Sequence, residues 1–203
     1  MTLAHLAIVL AGWALQAGSP GPATLALSAT AMGQGRRAAL TLALGICCGS
    51  GVWGLAAALG LSTVMLANAW IFEVLRYLGA GYLMFLAVKA LRNAAHPRPA
   101  STAATEGHRL FLKGLALHLT NPKAILAWGA IYLLALPAGA PMTQIWALFA
   151  CLLATSAMIF VGYALMFSHP RVAQGYARTR RGFDAAFGVL FGAAGFGLLT
   201  ARL

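Results

Sequence analysis

Gly12-Trp-Ala-Leu-Gln-Ala-Gly-Ser-Pro-Gly-Pro22 lies inside one long apolar run, and Gly114-Leu-Ala-Leu-His-Leu-Thr-Asn-Pro-Lys123 lies inside another. Laid over each other from Gly12 and Gly114, the two stretches share four identities in register: Gly12/Gly114, Ala14/Ala116, Leu15/Leu117 and Pro20/Pro122. Two polar pairs, Gln16/His118 and Ser19/Asn121, fall in the same register. The offset is close to half of the 203-residue chain, as a duplicated half would produce.

The surrounding composition sets the solvent. Hydrophobic residues make up 61% of the chain and charged residues 8%, whereas a soluble domain carries roughly 25% charged residues. So few charges cannot cover a water-facing surface, and the fold class is all-α integral membrane. A hydrocarbon core about 30 Å thick takes about 20 apolar residues per helix. Six segments qualify, at 3–30, 38–61, 69–91, 111–135, 143–167 and 183–202. No Lys or Arg precedes residues 3–15, and the apolar run continues towards Arg36, so this segment is expected to remain as a span and not to be cleaved as a leader. The stretch 92–110, with Pro97, Pro99 and a Ser-Thr-Ala tract, reads as a loop too short for a catalytic domain. The chain is therefore one transmembrane domain over 1–203, with 3–91 and 111–202 as its three-span halves.

The formal net charge is +11, from fourteen Lys and Arg against Glu73, Glu106 and Asp184. No basic face or aromatic-basic module gathers these cations, which argues against nucleic acid. They mark connections instead. Arg36 and Arg37 lie between the first two spans. Lys89, Arg92, Arg98, Arg109 and Lys113 surround the third-to-fourth connection, and Arg171, Arg178, Arg180 and Arg181 lie between the last two spans. The connections 62–71 and 136–143 have neither Lys nor Arg. The positive-inside rule then puts three basic loops in the cytoplasm and both termini outside. Three spans per half is an odd number, so the second half runs in the opposite sense and the six helices form two inverted three-helix repeats, a plan common among secondary transporters.

The prolines break this regularity. A proline lacks the N–H that a helix needs and pushes on the carbonyl four residues earlier. Pro20 therefore frees the carbonyl of Gln16, Pro22 that of Gly18, and Pro122 that of His118. An unsatisfied backbone group in hydrocarbon costs several kcal/mol, so each carbonyl needs a cavity, water, a ligand or a neighbouring side chain. A proline kink alone would serve packing, but two breaks at repeat-related positions favour a site for a small polar solute. Lys123 lies about 15 Å beyond Lys113 at the helical rise, too deep for easy snorkelling. A charged lysine there costs about 2.5–3.5 kcal/mol on insertion scales, so it needs a substrate carboxylate or an intramembrane acid.

Other polar residues carry weaker readings. His118 bears an imidazole that changes charge near neutral pH, which makes it a packing residue or a proton carrier. Asp184 opens the sixth span and reads as a first-turn acid, with proton coupling as its other role. Glu73 and Arg76 share a helix face as an intrahelical pair. Gly45/Gly49 and Gly188/Gly192 form small-residue faces for packing within the bundle or across a homodimer. Cys47, Cys48 and Cys151 fall in apolar spans, away from any external disulfide framework.

Several of these stretches together resemble the LysE/RhtB family of amino-acid exporters. They are Pro20-Gly21-Pro22 followed by Gly33-Gln-Gly-Arg-Arg37 and Gly45, the run from Gly79 to Arg92, and Phe111-Leu-Lys-Gly114 with Leu119-Thr-Asn-Pro-Lys123. The resemblance implies efflux of amino acids or related small polar metabolites from a bacterial inner membrane, driven by the proton-motive force. It points to Pro20, Gly21, Pro22, Asn121, Pro122 and Lys123. With Gln16, Ser19 and His118 these form the expected substrate site, and His118 and Asp184 the expected proton-coupling residues. Neither cofactor nor metal is expected; the partners are the solute and the lipid bilayer. Two other classes compete. Cys48 and Cys151, near equivalent positions in the repeat, would suit a transmembrane thiol redox carrier, and a passive channel would use the same spans. No metal-ligand spacing, carboxylate pair or Ser/His/Asp set supports an enzyme.

Overall fold

The structure, a computed structural model, describes residues 2–19, 21–61, 69–95, 107–137 and 139–200. Among them there are helices and no strand. Helix α1 spans Leu3–Gly18 and α2 Pro22–Ala56, which runs on through a wide π turn at Ala57–Leu61. Then follow α3 at Ala69–Ala95, α4 at Gly107–Leu119, α5 at Pro122–Ala135, α6 at Met142–Phe167 and α7 at Pro170–Thr200.

The first expected span is thus interrupted. Helix α1 ends at Gly18, and the chain resumes as α2 at Pro22. Helix α2 is itself two arms, because Gly35 has φ 83° and ψ −177°, a conformation that only glycine adopts without strain. The arm 22–34 completes the first apolar segment, and the arm beyond Gly35, opening with Arg36 and Arg37, carries the second. The fourth expected span is also interrupted, where α4 stops at Leu119 and α5 starts at Pro122.

Two boundaries depart from expectation. The polar connection 92–110 is narrower, because α3 reaches Ala95 and α4 begins at Gly107. The basic stretch ahead of the last span is helical, because α7 is continuous from Pro170. Asp184 accordingly lies well inside α7, 8% exposed, and is not the first-turn acid that its sequence position suggests. Arginines are good helix formers, so a charged run that interrupts hydropathy need not interrupt the helix. The backbone of Glu73 and Arg76 lies in α3, but their side chains fall outside what the structure describes.

In hydrocarbon, helices gain little by hiding apolar surface, so association rests on close van der Waals packing between small residues. Alanines are frequent among the buried residues, beside larger apolar side chains. One cluster joins both arms of α2 to α6 through Ala23, Leu27, Ala31, Ala39, Leu42, Ala43, Ile46, Phe160 and Ala164. A second joins α1, the π turn, α5 and α6 around Trp13, Trp128, Tyr132, Leu148 and Leu152. Helices α3 and α7 pack chiefly on each other. Large apolar side chains such as Leu3, Leu15, Leu134 and Phe196 project outward, as lipid-facing groups do. Among the described residues, two helices, Pro22–Gly60 and Met142–Phe167, are long and apolar enough to cross a bilayer.

Both glycine faces pack within the bundle. A Cβ on Gly45 would strike the Phe111 carbonyl, one on Gly114 the Leu42 carbonyl, and one on Gly49 would stand 2.9 Å from the Cβ of His118. Gly188 lies as closely on Leu91, and Gly192 faces Ala87. Gly45→Ala and Gly114→Ala should each lower stability by about 1–3 kcal/mol through overpacking. Gly12→Ala, which meets nothing within 4 Å, should not destabilise. Thermal melting in detergent measures all three.

Candidate functional site

The two helix interruptions face each other between the apolar clusters. Each carbonyl that a proline releases has found a donor. Ser19 Oγ donates to Gln16 O at 2.8 Å, Tyr163 Oη to Gly18 O at 2.6 Å, and the Asn121 N–H to His118 O at 3.2 Å. A further carbonyl at the second break, Leu119 O, accepts from Trp53 Nε1 at 3.2 Å. The resuming helices are capped as well. Thr24 Oγ1 accepts the Gly21 N–H at 2.9 Å, and Asn121 Oδ1 accepts the Lys123 N–H at 3.2 Å. Pro22 and Pro122 occupy first-turn positions, where a missing N–H costs nothing. Pro20 lies outside the described residues.

Lys123 joins the two breaks. Its side chain runs beside Gly21, where a Cβ would stand 3.5 Å from Cδ and 3.6 Å from Nζ. Its ammonium donates to Ser19 O at 2.9 Å and Ser19 Oγ at 2.7 Å. In the return direction, Gln16 Nε2 donates to Lys123 O at 3.3 Å. Among the described residues, the part-buried cation is therefore held by a serine hydroxyl and a helix-terminal carbonyl and not by an acidic side chain. Ser19 sits at the C-terminal end of α1, the negative end of that helix dipole, which favours a cation.

These groups line a cavity together with Trp13, Ala17, Ala23, Thr24, Ser50, His118, Ala124, Trp128, Ser156 and Phe160. Trp13 and Trp128 meet in this lining, with ring centroids 4.5 Å apart in an edge-on arrangement. Their indole N–H groups donate across helices, Trp13 to Ser156 Oγ at 2.9 Å and Trp128 to Ser50 Oγ at 3.1 Å. His118 is 5% exposed, lies edge-on to Phe160, and leaves Nδ1 without a protein partner. The empty space is small, little more than a water molecule occupies.

Of the residues expected at the site, Gln16, Ser19, Gly21, His118, Asn121 and Lys123 line the cavity, and Pro22 and Pro122 open the helices beside it. Asp184 lies on α7, away from the lining. Trp13, Thr24, Ser50, Trp128, Ser156, Phe160 and Tyr163 have no place in that expectation. The signal was present for most of them, since indole N–H and hydroxyl groups buried in apolar spans need partners. Cys47, Cys48 and Cys151 are free thiols, Cys48 exposed, and none lines the cavity.

Known proteins place these features in context. The model of the LysE type translocator family matches residues 15–202. The threonine efflux protein of Escherichia coli (strain K12) is 34% identical over 190 residues, covering 91% of this chain and 92% of the relative. The homoserine/homoserine lactone efflux protein of Salmonella typhimurium is 27% identical over 186 residues, covering 91% and 90%. The leucine efflux protein of Salmonella choleraesuis is 31% identical over 128 residues, covering 62% and 60%. No solved structure matches the chain.

The partner of Gly18 O can be tested directly. Tyr163→Phe keeps the ring stacked on Phe167 and removes the hydroxyl. It should cost about 1–3 kcal/mol, the penalty of an unsatisfied buried acceptor, measured as a lowered unfolding midpoint in detergent.

Proposed function

The chain belongs to the LysE type translocators, and from this membership we propose that it exports small amino acids across a bacterial inner membrane. Relatives named for threonine, homoserine and leucine efflux support that solute class. The single observation that carries the site is a part-buried lysine ammonium held between two helix breaks, in a cavity whose described lining contains no acid.

The chemistry follows from that arrangement. Lys123 receives the substrate carboxylate, while Ser19, Gln16 and Asn121 hold the amino or hydroxyl end. The N-terminal ends of α2 and α5 both open at the cavity, at Gly21 and Asn121, and helix N-termini favour an anion. In this reading the six apolar segments are two inverted three-span repeats with both termini outside. The halves rock about the paired breaks, and the proton-motive force drives the cycle. His118 at the cavity wall is better placed than Asp184 to couple a proton.

Lys123→Ala should bring threonine export down to the level of cells lacking the protein, at unchanged membrane abundance, and Pro20→Ala should do the same. Efflux assays in overexpressing cells measure this, and wild-type export from Lys123→Ala would overturn the site. A protonophore should stop export, which a passive channel would survive. Replacing Cys47, Cys48 and Cys151 together by Ser should leave export intact, an outcome that a thiol relay forbids.

A further inference from the structure

The contacts of Lys123 define more than a carboxylate receptor. Ser19 O and Ser19 Oγ already bind an ammonium group, at 2.9 and 2.7 Å. A lysine side chain and the α-amino group of an amino acid end in the same chemistry, a primary ammonium with three donors and no acceptor. When Nζ turns to a substrate carboxylate, it leaves two part-buried acceptors without that donor: Ser19 Oγ, and Ser19 O, which keeps only a long bond from Thr24 Oγ1 at 3.5 Å. Leaving them unmet is costly, and charge-assisted bonds are the strongest available to meet them.

We propose that the site works by ammonium exchange: an entering zwitterion inserts between Lys123 and Ser19, its carboxylate taking the lysine ammonium and its own ammonium taking the place on Ser19 that the lysine vacates. This rests on the amino-acid export reading and specifies how both ends of that solute are recognised. Three observations converge on it. The two groups of an α-amino acid are borne on one carbon, so a modest swing of the Lys123 side chain, flanked by the Cβ-free Gly21, brings both within reach. The helix ends are polarised to match. The C-terminal end of α1 at Ser19 favours a cation, and the N-terminal ends of α2 and α5 favour an anion. The described lining has one cation and no carboxylate, so a second, side-chain ammonium on a basic amino acid finds no counter-charge. The site selects neutral zwitterions over basic amino acids. It also holds the same net charge empty and loaded, because a zwitterion adds none.

The experiment uses the full-length protein in proteoliposomes loaded with threonine, following uptake of labelled threonine by counterflow. Competitors are threonine, N-acetylthreonine, which has only the carboxylate, threoninamide, which has only the ammonium, and lysine. Exchange predicts that N-acetylthreonine and threoninamide compete about tenfold or more weakly than threonine, as the loss of one charged hydrogen-bonded end requires, and that lysine competes more weakly because its second ammonium meets no counter-charge. Ser19→Ala should weaken competition by threonine and leave competition by N-acetylthreonine unchanged. N-acetylthreonine competing as well as threonine overturns the exchange and leaves the carboxylate site on Lys123 standing. Absence of counterflow with threonine, homoserine and leucine alike overturns the export reading, and the exchange with it.

Discussion

A backbone polar group in hydrocarbon must be paired, and most of what surrounds the cavity follows from how this chain meets that demand where prolines interrupt its helices. The Ser19 hydroxyl, the Tyr163 hydroxyl and the Asn121 N–H satisfy the three released carbonyls. The Ser19 carbonyl at the end of α1 takes the Lys123 ammonium. Because those carbonyls are already occupied by protein donors, they define the shape of the site without contributing exposed ligands. A cation on two neutral acceptors is held less tightly than one on a carboxylate.

Packing around the site divides the molecule into parts of different character. The second arm of α2 and the helix α4 approach so closely, at Gly45 and Gly114, that a methyl group on either meets a backbone carbonyl. Beside the cavity lie two buried indoles in edge-on contact, each donating one hydrogen bond to a serine on another helix. Helices α3 and α7, packed chiefly on each other, stand apart from both.

Reading the residues alone goes furthest where a single residue type has a single physical consequence. Proline in a membrane helix frees a known carbonyl, so both breaks and the residues beside them were legible. Gly35 belonged to a quoted motif, but its positive φ and its role as the corner of α2 emerge only with the backbone. The partner of Lys123 was not legible, because a serine hydroxyl and a main-chain oxygen leave no mark in composition, whereas an acid would. Asp184 was misplaced for a related reason. Hydropathy falls across Arg178, Arg180 and Arg181 while helix propensity does not, and α7 follows propensity. Trp13 and Trp128 read as apolar mass until their indole N–H groups are seen to choose serines.

The direction of the Lys123 contact also bears on how the protein is made. The cation lies in the second half of the chain and its acceptors, both on Ser19, lie in the first. Translation delivers the N-terminal part first, so the acceptors are in place before the lysine leaves the ribosome. Placed the other way round, a buried ammonium would wait in the bilayer for partners not yet synthesised. The order of the two breaks along the chain therefore matches the order in which their charges can be tolerated.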